Sequence, residues 1–305
     1  MSIRRATLDD TGAISALCRN AIPRWQRMAA GQVEDVAYED LSLYERWLHG
    51  GAWMSIETAS IWLSHLLSGA GVPYVLLEDD MIVGYLEAFT GKEPAPYHNH
   101  LHIGNIRTNN NADHAQALIQ HIQQMHSQNI TVACSAYEPD MQDFLGALDF
   151  EQIEMVLQVD MPAQTGQSFY QANEHHDTVY NQIKGWLMPI GRTESARTHW
   201  EGIWANLWRA IPEITARKMQ RLHIVAAGQE AYVAFHQQLY NPRNADVYCW
   251  TPKPLSKSLI SAIRDRAHRE GYRNLAMVVS ESALSLLKVS ADTAPYKQNI
   301  LLYKP

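Results

Sequence analysis

Cysteine is scarce: Cys18, Cys134 and Cys249 are an odd three in 305 residues, with no CxxC pair among them. That usage argues against a disulfide framework or a zinc knuckle and fits reduced thiols in a cytoplasmic protein. No apolar run approaches the roughly 18 residues of a membrane span, and the opening MSIRRATLDD lacks the apolar centre of a signal peptide. Basic runs are missing too. With 25 Lys and Arg against 32 Asp and Glu, the net charge is −7, so neither nucleic acid nor a membrane is expected as partner. There is no G-x-S-x-G, P-loop or HExxH, which leaves hydrolase and nucleotidase chemistry without support. What is present is the composition of a soluble globular protein, 46% apolar and 19% charged. At about 150 residues per domain the length suits two domains.

The chain is organised around His98 to Met125, HNHLHIGNIRTNNNADHAQALIQHIQQM. Leu101, Ile103 and Ile106 suggest a strand with one buried face, and Asn109-Asn110-Asn111 interrupts it. Ala115, Leu118, Ile119 and Ile122 then recur at helical spacing. Strand, polar turn and helix N-terminus present free N–H groups and a positive dipole end, a device suited to phosphate. A plain turn with an asparagine N-cap uses the same residues.

Before this stretch, Thr7 to Asp10 reads as a short-acid capping box opening a helix through Ala21. Helices are expected from Asp40 to Leu48 and from Ser55 to Leu67. Tyr74–Leu77 and Met81–Phe89 form a hairpin around Glu78-Asp79-Asp80. After it come a strand at Ile130–Cys134, a helix at Pro139–Leu148 and a strand at Ile153–Val159. Residues 161–168, MPAQTGQS, read as a linker. The order then repeats: helices at Asp177–Met188 and Thr193–Ala210, a hairpin of Leu222–Ala227 and Ala231–Leu239, and a strand at Asp246–Trp250. A helix at Pro254–His268, a strand at Leu275–Val279, a short helix at Glu281–Leu287 and a strand at Asn299–Tyr303 complete it. An internal duplication is expected, with domains at 1–160 and 169–305.

This order, with Ile3-Arg4-Arg5-Ala6-Thr7 through Asp10, Ile82-Val83-Gly84-Tyr85 and the ending Phe144 to Phe150 (FLGALDF), resembles the GCN5-related N-acetyltransferase superfamily. The second half looks like a more diverged copy. The resemblance implies an α/β (α+β) fold of two tandem domains, each a mixed, mostly antiparallel twisted sheet flanked by helices. It also implies acetyl-CoA, or another acyl-CoA, in a cleft where two parallel strands splay apart. Its pyrophosphate would rest on the turn before the central helix, usually Q/R-x-x-G-x-G/A. Here Asn110, Asp113 and Ala115 take the marked positions and only Ala115 agrees. In the second half Thr251, Pro254 and Ser256 take them, with Lys253 and Lys257 adding charge.

The cofactor-binding set implied is therefore Ile103, Gly104, Asn105, Ile106, Arg107, Asn110, Asn111, Ala112, Asp113 and Ala115. The family's tyrosine acid falls on Leu145 and Leu287, neither of which can donate a proton, and Tyr137 is the nearby substitute. His102 and Glu87 are the candidate general bases. The expected reaction is direct acyl transfer to a small amine-bearing substrate. The alternative is a catalytically inactive copy, a binding or scaffold protein that has lost CoA chemistry.

Other clusters have blander readings. His98, His100 and His102 alternate, as metal ligands could, but a polar strand entry explains them and no metal site is expected. Trp200, Trp204 and Trp208 repeat every four residues, which suits core or the seam of a homodimer better than an acceptor pocket. Trp25, Trp47, Trp53 and Trp62, with Glu34, Asp35, Glu39 and Asp40, belong to the helical region that shapes the acceptor site in the resembling family.

Overall fold

The computed structural model describes residues 1–29, 31–166, 169–289, 294 and 296–305. Its contacts divide it into two compact units: Met1–Thr90 with Ile103–Ser127 and Pro305, and Gly91–His102 with Gln128–Lys304.

In the first unit the order is β1 (Ser2–Arg5), α1 (Thr11–Arg19), β2 (Gln26–Ala29), β3 (Gln32–Asp35), α2 (Leu43–Leu48), α3 (Ile56–His65), β4 (Gly71–Glu78) and β5 (Met81–Lys92). Then follow β6 (Asn99–Thr108) and α4 (Ala112–Met125). The last residues of β5 and the first of β6 belong to the second unit. Strands lie in the order β1-β4-β5-β6. Thr7 N donates to Asp10 Oδ2 at 2.8 Å, and Arg4 clamps the same carboxylate at 2.7 and 2.8 Å. The expected cap thus gains a charged partner. Ser55 caps α3 by accepting from Thr58 N. The helices cover one face of the sheet, burying Ile14, Leu17, Leu63 and Leu66 against Val75, Tyr85 and Phe89. The β2–β3 hairpin is exposed and was not foreseen; Gln26, Arg27, Glu34 and Asp35 pair across it.

The second unit continues with β7 (Asn129–Ser135), α5 (Pro139–Gly146), β8 (Glu151–Pro162), β9 (Tyr170–Glu174), β10 (Leu187–Ile190), α6 (Ala196–His199), α7 (Pro212–Thr215) and β11 (Met219–Ala226). It ends with β12 (Gln229–Gln237), β13 (Asn244–Thr251), α8 (Lys257–Arg269), β14 (Asn274–Ser280), α9 (Leu284–Leu287) and β15 (Lys297–Tyr303). Its strand order is β7-β15-β8-β14-β10-β13-β12-β11-β9. The final strands of the two repeats are exchanged. β15, from the chain's end, lies between β7 and β8, while β8 pairs with β14.

The repeat is visible in its turns. In both hairpins a two-residue loop joins the strands, and both loop residues have positive φ: Asp79 (47°) and Asp80 (62°), then Ala227 (49°) and Gly228 (75°). Such turns match the right-handed twist of the strands they join.

Several sequence expectations need correction. Asp177–Met188 is not a helix: Gly185 turns at φ 86° and Trp186 stacks on Tyr232 at 5.2 Å, which releases residues 187–190 as β10. The Thr193–Ala210 helix is broken into α6, a wide turn at Trp200–Trp204 and a tight one at Leu207–Ala210, with Asn206 left-handed between them. α8 begins at Lys257 rather than Pro254, because Ser256 is its N-cap and accepts from Leu259 N. β8 runs through Pro162 into the expected linker, whose Gln167 and Ser168 lie outside the described residues.

Candidate functional site

Glu87 points from β5 into the aromatic core of the first unit and is 4% exposed. One of its oxygens, Oε2, accepts from Trp53 Nε1 (3.0 Å), Trp62 Nε1 (3.0 Å) and Tyr85 Oη (2.7 Å). Burial pushes the carboxyl pKa up; the three donors pull it back only in part. The Cys18 thiol lies close by, and burial followed by the Glu87 charge pushes it up to about 12. A thiol held protonated is not a nucleophile. Sequence reasoning selected Glu87, Trp53 and Trp62 for different reasons. It missed that they form one cluster, and it named Tyr85 and Cys18 without placing them at the site.

β6 brings bare backbone to this carboxylate. A Cβ on Gly104 would stand 2.9 Å from Phe89 Cε2 and 4.0 Å from Glu87 Oε1. Ile103 is buried, Gly104, Asn105 and Ile106 are half-buried, and Arg107 is exposed. The strand therefore packs closely on Phe89 beside the acid, and only glycine fits at position 104 without a shift. The helix end is different. Asn110 turns at φ 55°, and the side chain of Asn111 caps α4, accepting from Asp113 N at 2.9 Å and His114 N at 3.3 Å. Those are donors that an anion at the helix start would use. Ala112 and the Asp113 side chain are exposed, and Ala115 is half-buried.

The second repeat shows what its own strand pair does. β13 and β14 run parallel over Asn244–Asp246 and Asn274–Ala276, then separate. β10 fills the gap, pairing Leu187 with Thr251, and Ile190 with both Cys249 and Val279. It is pinned there. Gly191 N donates to Val278 O at 2.7 Å, and a Cβ on this residue (φ 89°) would lie 2.6 Å from Tyr248 and 2.8 Å from Val247 O. Arg192 forms a buried ion pair with Glu93, which also accepts from Ala196 N. The turn before α8 is closed as well, since Gln229 Nε2 donates to Pro254 O (2.8 Å) and Thr251 Oγ1 (3.2 Å).

The chain also superposes over nearly its whole length on solved structures. A GCN5-related N-acetyltransferase from Anabaena variabilis superposes with a TM-score of 0.59 at 12% identity, over 99% of this chain and 72% of that one. A candidate acetyltransferase from Pyrococcus horikoshii gives 0.50 at 12% identity, over 100% and 89%. No protein-family model and no curated protein sequence matches the chain. The fold is that of the GCN5-related N-acetyltransferases.

Within this acetyltransferase fold the remaining candidates have unequal environments. His102 is 2% exposed; its Nδ1 meets Thr131 Oγ1 at 3.0 Å, and Nε2 has no partner among the described residues. Burial, then the charges of His100 and Arg192, holds the ring well below its ordinary value, so it is neutral and a weak base. The two base candidates are thus shifted in opposite senses, Glu87 up and His102 down. Tyr137 is 62% exposed, with its hydroxyl 3.5 Å from Ala294 O. Leu145 and Leu287, which the sequence resemblance matches to a tyrosine acid, are buried.

His98 is exposed and left-handed (φ 56°), whereas His100 is buried, so the three histidines do not share one surface. Among the described residues no three His, Cys, Asp or Glu side chains gather as metal ligands. Trp200 and Trp204 are fully buried, stack at 4.7 Å and meet Trp250 edge-on, with their N–H groups satisfied by the Thr178 and Asp177 carbonyls. They are core.

Proposed function

We propose that the chain is an acyl-CoA-dependent N-acyltransferase acting on a small amine by direct transfer, with the acyl donor held by the first repeat. The observation that carries this is the buried Glu87 carboxylate, its basicity raised, beside the glycine of the strand that would carry the thioester. Acyl-CoA supplies an activated acyl group. Backbone N–H groups of Ile103, Gly104 and Asn105 would hold its carbonyl oxygen as charge develops. Arg107 and the Asn110–Ala115 turn would receive its phosphates, with Asn111 surrendering part of its cap. The amine nitrogen forms the C–N bond as the C–S bond breaks, and Glu87 takes the amine's proton. The sulfur leaves as a thiolate and takes its proton from solvent. Cys18, held as a thiol, gives no acyl-enzyme, which favours one-step transfer. We assign the repeats to 1–160 and 169–305 and the protein to the cytoplasm. In support of the latter, Cys18, Cys134 and Cys249 are free, and no described helix is long and apolar enough to cross a membrane.

One observation favours the inactive alternative: the α4 N-terminus is already capped by its own Asn111, and both acid positions are leucine. Calorimetric titration with acetyl-CoA separates the two. Binding, followed by acetylation of a panel of small primary amines that drops about 10²–10⁴-fold in Glu87→Gln, supports the enzyme. No heat at millimolar acetyl-CoA would overturn it and leave the scaffold.

A further inference from the structure

A pocket of about 270 Å³ opens in the second unit beside α8 and the C-terminal end of α9. Lys257, Ser261 and Arg264 recur at i, i+4 and i+7 and so share the helix face that lines it. Lys288, the left-handed residue that ends α9, adds a third cation. Met161, Ile260 and Leu287 supply the apolar part of the lining.

The cations of α8 fall into two classes. Arg266 and Arg269 are neutralised on the helix itself, by Glu270 at 2.5 Å and Asp265 at 2.7 Å. Lys257, Arg264 and Lys288 have no carboxylate partner among the described residues. In a chain of net charge −7, three unpaired cations converging on one cavity repel one another until an anion joins them. The wall opposite α8 is held in place: Arg264 Nε donates to Pro162 O and Gly166 N to Asp265 Oδ1, each at 2.9 Å. A Cβ on Gly166 would stand 2.7 Å from Ser261 Oγ, so this segment is in close contact with the helix.

Pockets for drug-sized ligands measure about 300–1,000 Å³. This one is smaller and suits neither a nucleotide nor a CoA. Its charge exceeds what one carboxylate needs, and its apolar side exceeds what free phosphate needs. We propose that it binds a small phosphate monoester, with the phosphoryl oxygens against Lys257, Arg264 and Lys288 and a short alkyl chain over Met161, Ile260 and Leu287. The site is independent of the acyl transfer proposed for the first repeat.

Calorimetry on the full chain tests it, with butyl phosphate as probe and inorganic phosphate and butyrate in separate titrations. Butyl phosphate should bind saturably at one site, at least about 10-fold more tightly than either control, and more weakly as salt is raised. The double variant Lys257→Gln, Lys288→Gln alters exposed side chains and keeps the fold; it should bind about 30-fold more weakly. Absence of saturable heat at millimolar butyl phosphate, or unchanged affinity in the double variant, would overturn the site. Inorganic phosphate binding as tightly as butyl phosphate would refute the apolar half. Displacement of butyl phosphate by CoA would assign the pocket to a cofactor instead.

Discussion

Replacing Glu87 tests the core of the first unit directly, because three hydrogen-bond donors converge on one of its oxygens. In Glu87→Leu the Trp53, Trp62 and Tyr85 donors lose their acceptor inside an apolar core. At about 1–3 kcal/mol for each buried unsatisfied group, the loss is about 3–9 kcal/mol, comparable with the whole stability of a typical domain at about 5–15 kcal/mol. Glu87→Gln keeps a carbonyl able to accept two of the three and forfeits the charge. Its cost should be about 1–3 kcal/mol, that of the one donor left without an acceptor. The sign of the pH dependence follows from the raised carboxyl. The folded state holds the proton more tightly than the unfolded chain does. The stability this adds is complete below the ordinary value of 4.5 and is lost as pH rises through the raised one. Glutamine has no such term, so the gap between wild type and Glu87→Gln should narrow as pH rises. Urea unfolding at pH 5, 6, 7 and 8, read by the indole N–H resonances of Trp53 and Trp62, measures both quantities. Glu87→Leu as stable as Glu87→Gln, or a gap that widens with pH, would refute the reasoning.

Asn111→Ala should cost about 1 kcal/mol of stability by uncapping α4 while tightening acetyl-CoA binding, since the Asp113 and His114 N–H groups are freed; weaker binding in calorimetry would show that the asparagine itself contacts the ligand. Asp113→Gly should likewise tighten it, by removing a carboxylate from the phosphate turn, and unchanged affinity would show that the side chain points elsewhere. Acetyl-CoA should titrate to one equivalent per chain, because β10 fills the strand gap of the second repeat, and two equivalents would contradict that role for β10. The pH–rate profile should show no limb near pH 6.5 from His102, whose ring stays neutral down to well below that value; a limb there that vanishes in His102→Asn would reverse the assignment of the base to Glu87.

Much of the fold was legible because its local signals are strong. The Glu78-Asp79-Asp80 hairpin, the Thr7 and Ser55 caps and the asparagine turn before α4 each rest on a short-range preference that tertiary context left alone. What stayed hidden depends on distant partners. β10 has only four residues, and its identity as a strand comes from the gap between β13 and β14 rather than from its own pattern. Trp200 and Trp204 do share one buried cluster, but a wide turn rather than a continuous helix carries them, and Trp208 falls in a separate turn beyond Asn206. Glu87 could be chosen as an acid on a strand. Its environment could not, because Trp53 and Trp62 come from sequence positions with no periodic relation to it.

The exchange of terminal strands carries a cost in time. β7 cannot acquire its neighbour until Lys297–Tyr303 has left the ribosome, so residue 135 waits for residue 298. Contacts spanning so much chain close slowly. Neither repeat can finish its sheet while the other is unmade, and a nascent chain halted after the first repeat would present β7 as an open edge. Removing the last few residues would open a seam in the middle of a sheet, where a trimmed tail would ordinarily cost only a frayed border.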